Sequence, residues 1–240
     1  MKKTFKLLAL AVMLIMGSQA MAQTRGAMFL GASFPVNDFA DFDNAGDFAL
    51  ASDDDDAGAA IGFNVGLKWY FNVGVKGLGV MLSVDGMYNG LNADAKSYYK
   101  ERQEFLDTFG TDATVTRPVY INLPVMLGLN YIYHINPSFG VYAEAGLGGN
   151  ARFITSYNES YKLLGEKRSA TVKYGTPFSF AWQVGAGIEV ARNLVIGCGF
   201  YDLGRADVKA EKTGDIISTP MPNESSIHPM MVLARIGFSF

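Results

Sequence analysis

The sequence predicts an all-β fold: a transmembrane, antiparallel, up-and-down β-barrel of eight strands, with ten as the alternative, after a cleaved signal peptide. Three observations predict it. Apolar and polar residues alternate with period two in about eight segments, the connections between these segments are alternately short and long, and the chain begins with a secretory pattern. We therefore expect two parts, a signal peptide over residues 1–22 and a barrel domain over residues 23–240.

Composition excludes several other classes of protein. The 240 residues are 49% hydrophobic, 13% aromatic and 18% charged, and a disordered chain has few aromatic and many charged residues. A single cysteine excludes a disulfide scaffold. The formal net charge of -3 and the lack of a basic run argue against a nucleic-acid partner.

The first residues have the three parts of a signal peptide. Three lysines lie within the first six residues, an apolar stretch covers Leu7–Met16, and Ala20 and Ala22 form a small-x-small cleavage site. We expect cleavage between Ala22 and Gln23. The apolar stretch is shorter than the ~20 residues of a transmembrane helix, so a mature chain that spans a membrane must do so as a closed barrel.

Alternation with period two defines each strand, because successive side chains of a strand point to opposite faces. It is clearest in the fourth segment, where every second residue is apolar. In the seventh it is irregular at Tyr201 and Asp202, which a β-bulge would explain. The predicted strands are Gly26–Phe34, Ala60–Phe71, Gly79–Asn89, Val119–Tyr133, Phe139–Phe153, Phe178–Val190, Leu194–Leu203 and Met230–Phe240.

The connections predict how the strands are arranged. Transmembrane barrels have short turns at one end and long loops at the other. The short connections are Asn72–Leu78, His134–Ser138 and Arg192–Asn193, and the long ones are Pro35–Gly58, Leu91–Thr114, Ile154–Thr176 and Asp207–Ser226. Three turns and four loops are the number that eight strands require; a further hairpin inside the loops would give ten.

Two stretches carry a resemblance to a known family. The last residues alternate through Ile236, Phe238 and Phe240, which resembles the C-terminal signal read by the barrel assembly machinery. Tyr120–Tyr131, followed by Phe139–Gly146, resembles the outer-membrane β-barrel domain family of Bacteroidetes, with its PorT-like members and its broad similarity to OmpA and OmpX. The resemblance covers the mature chain. It implies the Gram-negative outer membrane, with outer-membrane lipid, including lipopolysaccharide, and the assembly machinery as partners.

The polar face of the strands carries six charged residues. Eight strands enclose a space that side chains fill, and a buried charge needs a partner, so we expect these residues to pair in the lumen. A hydrogen-bonded plug is favoured over a gated conductance path because the barrel is narrow. The predicted lumen charge cluster is Lys68, Asp85, Glu144, Arg152, Glu189 and Arg235.

No pattern indicates an enzyme, a cofactor or a metal site. His134 is expected in a turn, and His228 follows Ser226 without a strained nucleophile turn. The acidic run Asp53–Asp56 does not match a calcium loop and indicates a solvated surface.

We therefore expect a structural or interaction protein whose external loops contact a protein partner. The alternatives are a pore for ions or small solutes and, by the PorT-like resemblance, a component of an envelope secretion or assembly apparatus. Phe105 and Phe109, with their aromatic neighbours in the second long loop, predict either an adhesive surface or an amphipathic helix at the membrane interface.

Overall fold

The computed structural model describes residues 24–42, 57–216 and 225–240. It contains an α-helix, α1 (Ala93–Phe109), and a short 3-10 helix (Asn37–Phe39). The strands are β1 (Thr24–Val36), β2 (Gly62–Asn72), β3 (Leu78–Asn89), β4 (Thr111–Thr116), β5 (Tyr120–Asn136), β6 (Phe139–Ile154), β7 (Tyr157–Leu163), β8 (Glu166–Tyr174), β9 (Phe178–Val190), β10 (Leu194–Asp202), β11 (Ala206–Val208), β12 (Ala210–Gly214), β13 (Ser225–Ile227) and β14 (Met230–Ser239).

Two predicted features fall outside the described residues: the signal peptide with its cleavage site at Ala22 and Gln23, and the acidic run Asp53–Asp56. Within the described residues, no helix is long and apolar enough to cross a membrane.

Eight strands close into a barrel in the order β1-β14-β10-β9-β6-β5-β3-β2, and every neighbouring pair is antiparallel. This confirms the predicted fold class with eight strands. Each barrel strand matches its predicted segment to within three residues at either end. The reason is that alternation with period two is a local signal, which a strand shows wherever its two faces meet different surroundings.

The outer face of the barrel is a continuous apolar surface. Along β5, Leu123, Val125, Leu127 and Leu129 all point outward and are exposed, while Asn122 and Met126 on the opposite face are buried. Exposed apolar area of this extent is what lipid covers in a transmembrane barrel. Aromatic side chains lie on this face near both ends; they are Tyr131, Tyr133, Phe238 and Phe240 at one end, and Tyr88, Phe153, Phe178 and Phe180 at the other.

The two ends of the barrel differ. We call the short-turn end the one where β2 joins β3, β5 joins β6 and β9 joins β10, and where β1 begins and β14 ends. The long-loop end is opposite. There, β4, β7, β8 and β12 form a second sheet in the order β12-β8-β7-β4.

This second sheet continues the barrel wall. Its strands adjoin β10, β9, β6 and β5 in the chain and keep the same lateral order. The pair β11 and β13 continues β10 and β14 in the same way. The additional strands in the long loops therefore lie beyond the barrel, and its strand number stays at eight.

Helix α1 packs on protein rather than on a membrane surface. It begins after Asn92, whose side-chain oxygen accepts a hydrogen bond from the backbone N–H of Ala95 at 2.9 Å. Ala95, Tyr99 and Leu106 are buried along one side of the helix. The predicted interfacial helix is thus a helix of a folded layer over the long-loop end.

The structure excludes one local irregularity and corrects one local prediction. The pairing of β10 with β9 and β14 is regular as far as Asp202, so there is no bulge at Tyr201. The alternation looked irregular because Tyr201 points into the barrel although it is partly apolar, and Asp202 points outward although it is charged. His134 lies within β5 rather than in a turn, and a register irregularity follows it before Asn136.

Adjacent glycines of β6 give a test of how tightly the wall is packed. A Cβ on Gly148 would lie 1.9 Å from the carbonyl oxygen of Val125, whereas one on Gly149 would lie 3.6 Å from its nearest neighbour, the carbonyl oxygen of Ser179. We expect Gly148→Ala to lower the free energy of unfolding by about 1–3 kcal/mol, because backbone must move. Urea unfolding followed by electrophoretic mobility measures it. Gly149→Ala is the control, and equal midpoints for the two variants would contradict the register.

Candidate functional site in the barrel lumen

Four charged side chains meet in the middle of the lumen. Lys68, Asp85, Glu144 and Arg235 come from β2, β3, β6 and β14, and all four are buried. Each lies on the inward face of its strand, and the four side chains contact one another. The structure thus brings together four of the six residues of the predicted cluster.

Arg235 is the centre of this network. Its Nη1 donates a hydrogen bond to Asp85 Oδ1 at 3.1 Å, and its Nη2 donates to Glu144 Oε1 at 3.3 Å. The ammonium of Lys68 donates to the same oxygen of Glu144. Two cations and two anions leave no net charge, which offsets the cost of removing them from water.

Two aromatic residues complete the network. The hydroxyl of Tyr201 accepts from Arg235 Nη1 at 2.9 Å and donates to Asp85 Oδ2 at 3.2 Å. The ring of Phe29 is near both cations, with its centroid 5.2 Å from the guanidinium of Arg235 and 5.5 Å from the ammonium of Lys68. Sequence reasoning missed both residues, although counting alternate positions along β1 and β10 would have placed them inside.

Glycines opposite the charges make room for them. Gly66 faces Asp85 across β2 and β3, and a Cβ there would lie 2.1 Å from the carboxylate. Gly185 faces Glu144, where a Cβ would lie 3.0 Å from Oε1. The high glycine content of the inward face therefore accommodates the network.

Glu189 lies apart from the network, at the short-turn end. Its carboxylate pairs with the guanidinium of Arg25 and lies 3.6 Å from Nε2 of His134. Glu189 is four residues beyond Gly185 along β9, which is about 13 Å of strand. The predicted cluster is thus divided by height along the barrel axis, and Arg25 and His134 were not foreseen as partners.

Arg152 lies apart at the opposite end. It is eight residues beyond Glu144 on β6, about 26 Å of strand. Its Nη1 donates to the carbonyl of Ile227 at 2.8 Å, and its Nη2 donates to the carbonyl of Gly204 at 3.1 Å. These contacts hold the end of β13 to the turn after β10, a role that charge pairing alone did not predict.

The polar lumen has spare hydrogen-bonding capacity. Glu144 Oε2, Gln183 Oε1 and Asn64 Oδ1 are buried and have no protein partner. Buried acceptors of this kind are ordinarily satisfied by bound water. The lumen is therefore a polar, hydrogen-bonded interior around a central ionic network.

An apolar layer, which we call the cap, covers the long-loop end. It comprises α1, the 3-10 helix, residues 57–59 and the inner face of the second sheet. Tyr120 joins the cap to the barrel. Its hydroxyl donates a hydrogen bond to the carbonyl of Ala57 at 2.6 Å, and the centroid of its ring lies 5.3 Å from that of Phe39. Tyr99 and Tyr157 pack together at 5.6 Å, and burial raises the pKa of both hydroxyls well above the ordinary value.

A buried ion pair fastens α1 to the second sheet. Arg102 donates from Nε and Nη2 to the two carboxylate oxygens of Glu159, at 3.0 and 3.1 Å. The hydroxyl of Tyr157 donates to the same carboxylate at 2.7 Å. Parallel bonds of this kind fix the direction of the guanidinium as well as its distance.

The histidine near the long-loop end is held by a carboxylate. Nε2 of His228 lies 2.8 Å from Asp202 Oδ1, and Nε1 of Trp182 donates to Asp202 Oδ2 at 3.1 Å. Among the residues that the structure describes, no group of three or more His, Cys, Asp or Glu side chains is placed to hold a metal ion.

Comparison with known proteins gives one family. The outer membrane protein beta-barrel domain matches residues 7–217. No curated protein shows a significant match.

Solved structures of similar shape are distant in sequence. They include Ail, the attachment invasion locus protein of Yersinia pestis, at 14% identity and a TM-score of 0.40, covering 91% of this chain and 99% of that one. Neisserial surface protein A has 12% identity and a TM-score of 0.47, and OprG of Pseudomonas aeruginosa has 14% identity and 0.46. Both alignments cover 91% of this chain and 97% of the other.

Removing the central cation tests the network. In Arg235→Met, Asp85 and Glu144 share a single cation, and we expect a loss of about 3–5 kcal/mol in the free energy of unfolding. Urea unfolding of the lipid-reconstituted protein measures it. Arg117→Met, at an exposed position, is the control. The double variant Arg235→Met, Asp85→Asn should regain part of the loss; a single variant as stable as the control would contradict the pairing.

Proposed function

This chain belongs to the outer membrane protein beta-barrel domain family, and from that membership we propose that it is a closed structural barrel whose long loops form a binding platform. The observation that carries the proposal is that the lumen is occupied at two heights. The ionic network fills the middle, and the cap covers the long-loop end.

The narrow barrel supports a closed lumen. An eight-stranded barrel has an interior just wide enough for side chains to fill it. Arg235 reaches Asp85, Glu144 and Tyr201, which lie on three other strands, so the network spans the interior from wall to wall. An ion crossing at this height would have to displace paired charges from a desolvated position, which is unfavourable.

Exposed apolar residues support a binding role for the loops. Phe105 and Phe109 are exposed on α1, and their rings meet at 4.9 Å. Leu164, at the tip of the β7–β8 hairpin, is 97% exposed and has a φ of 52°, a conformation that disfavours leucine. Since β7 extends about 23 Å beyond its barrel strand, Leu164 at its end lies well outside the membrane. We propose a protein partner there.

The same proposal includes the partners implied by the family resemblance. The side chains of Ile236, Phe238 and Phe240 are exposed on the outward face of β14, where the barrel assembly machinery would read them during biogenesis. Outer-membrane lipid, including lipopolysaccharide, would cover the apolar wall. Exposed cations near the long-loop end, Arg117, Lys173 and Lys209, are suited to its phosphate groups.

We propose no catalytic role for the chain. His228 is held by Asp202, and this pair is best explained as a tie between β10 and the start of β14. A place in a secretion or assembly apparatus is suggested by the Tyr120–Tyr131 resemblance. Stoichiometric co-purification of partner proteins from membranes would favour it over a free-standing platform.

Conductance measures whether the barrel is closed. Residues 23–240, refolded and inserted in a planar lipid bilayer, are expected to give no steady openings. The variant Glu144→Gln, Arg235→Ala removes the central network but retains the cap, so we expect it to stay silent until Tyr99→Ser is added to loosen the cap. Steady openings of the unmodified protein would overturn the proposal and favour a pore.

Limited proteolysis tests whether the cap is a folded layer. Arg102→Met removes the cation from the buried carboxylate of Glu159, and we expect a local loss of about 3 kcal/mol. Chymotrypsin should then cleave the long loops several-fold faster, while the barrel still resists SDS without boiling. Lys100→Met is the control, because Lys100 lies on the same helix in an exposed pair with Glu104. Equal cleavage rates for both variants would contradict a folded platform.

A further inference from the structure

A cleft at the short-turn end is part of neither the network nor the cap. Its volume is about 520 Å³, within the range of roughly 300–1,000 Å³ that small-molecule sites occupy. It opens at the mouth of the barrel, between the start of β1, the β2–β3 turn and the end of β5. The polar residues of its lining include Arg25, Tyr70, Asn72, Lys76, Asn130 and His134.

Two glycines shape this cleft. Gly77, with a φ of 81°, accepts a hydrogen bond from the backbone N–H of Ile132 at 2.8 Å, which folds the β2–β3 turn back against β5. That fold places Lys76 beside the mouth. A Cβ on Gly79 would lie 2.7 Å from the side-chain oxygen of Asn130, so glycine at this position leaves the amide its place in the lining.

The lining is rich in donors and carries positive charge. Arg25 and Lys76 are cations, His134 has a ring nitrogen, and Asn72 and Asn130 have amide N–H groups. No acidic residue is part of the lining in the described chain. This is the reverse of the sequence as a whole, whose formal net charge is -3.

Glu189 holds two of these groups in position. Its carboxylate pairs with Arg25 and lies 3.6 Å from Nε2 of His134. The two described contacts of Arg25, to Glu189 and to Ser239, both use Nη2. A guanidinium has five N–H donors, so Nε and Nη1 of Arg25 are left to bind a ligand.

We propose that this cleft binds a phosphate group. Arginine and lysine donors favour phosphate oxygens, which accept several hydrogen bonds at once. The phosphate belongs either to a small soluble ester or to a phospholipid headgroup of the leaflet at this end, and both present the same chemistry to Arg25 and Lys76. Glu189 fixes the direction of Arg25 without entering the lining.

The two histidines of the chain give a direct measurement. The mature protein in a maltoside detergent, which carries no phosphate, is titrated with glycerol 3-phosphate at fixed pH, and the ring signals are followed by NMR. We expect a saturating shift of the His134 signal. His228, at the opposite end, is the internal reference and should not move.

A variant of the turn tests the assignment. Lys76→Gln removes a charged donor from an exposed turn, and we expect about tenfold weaker binding of glycerol 3-phosphate. Lys96→Gln, on α1 at the long-loop end, is the matched control and should bind as the unmodified protein does. A shift that does not saturate, that moves both histidines alike, or that is the same in the two variants would overturn the proposal.

The source of the phosphate is found by changing the surroundings. The protein is moved into phosphatidylglycerol nanodiscs with no added ester. A His134 signal already at its bound position, and insensitive to further glycerol 3-phosphate, identifies the lipid headgroup. A signal that responds to glycerol 3-phosphate as in detergent identifies a soluble ester.

Discussion

The neutralisation of Arg235 inside a narrow barrel is the constraint on which the rest of the structure depends. A buried guanidinium requires carboxylates within hydrogen-bonding distance. Here they come from β3 and β6, which lie in opposite directions around the barrel from β14. Gly31 and Gly197 are the residues paired with Arg235 on its two neighbouring strands. A Cβ on Gly31 would lie 2.0 Å from the carbonyl oxygen of Ala234, and one on Gly197 would lie 2.1 Å from the hydroxyl of Tyr142. Register, strand number and inward composition are therefore set together.

The structure of the long loops is related to the filled lumen. A barrel filled in its middle has no need of an open mouth, so its loops are free to form a core of their own. Tyr120 and Leu203 belong both to the upper barrel and to that core, which makes the platform continuous with the wall below it. Within the described residues, a polar, ionic lumen and an apolar cap therefore lie one above the other along the barrel axis.

Local and non-local information explain what the sequence could predict. The eight strands and the inward position of Lys68, Asp85, Glu144 and Arg235 follow from alternation, which each strand carries by itself. The stagger between strands that are distant in the chain decides which charges come into contact. The sequence alone therefore could not predict that Arg152 and Glu189 lie apart from the network. The second sheet was missed because its buried face includes charged and small residues, such as Glu159 and Ala170, so the apolar alternation along its strands is weak.

The second sheet also has a mechanical consequence. In the chain, β7 follows the wall strand β6 and β8 precedes the wall strand β9. The tip that bears Leu164 is therefore joined to the barrel by two hydrogen-bonded strands. Tension on that tip passes along the backbone of β7 and β8, and it loads in shear their hydrogen bonds to the outer neighbours β4 and β12. A tether of loose loops would peel bond by bond. If the proposed partner binds at this tip, a pulling force on it would pass directly into the barrel wall.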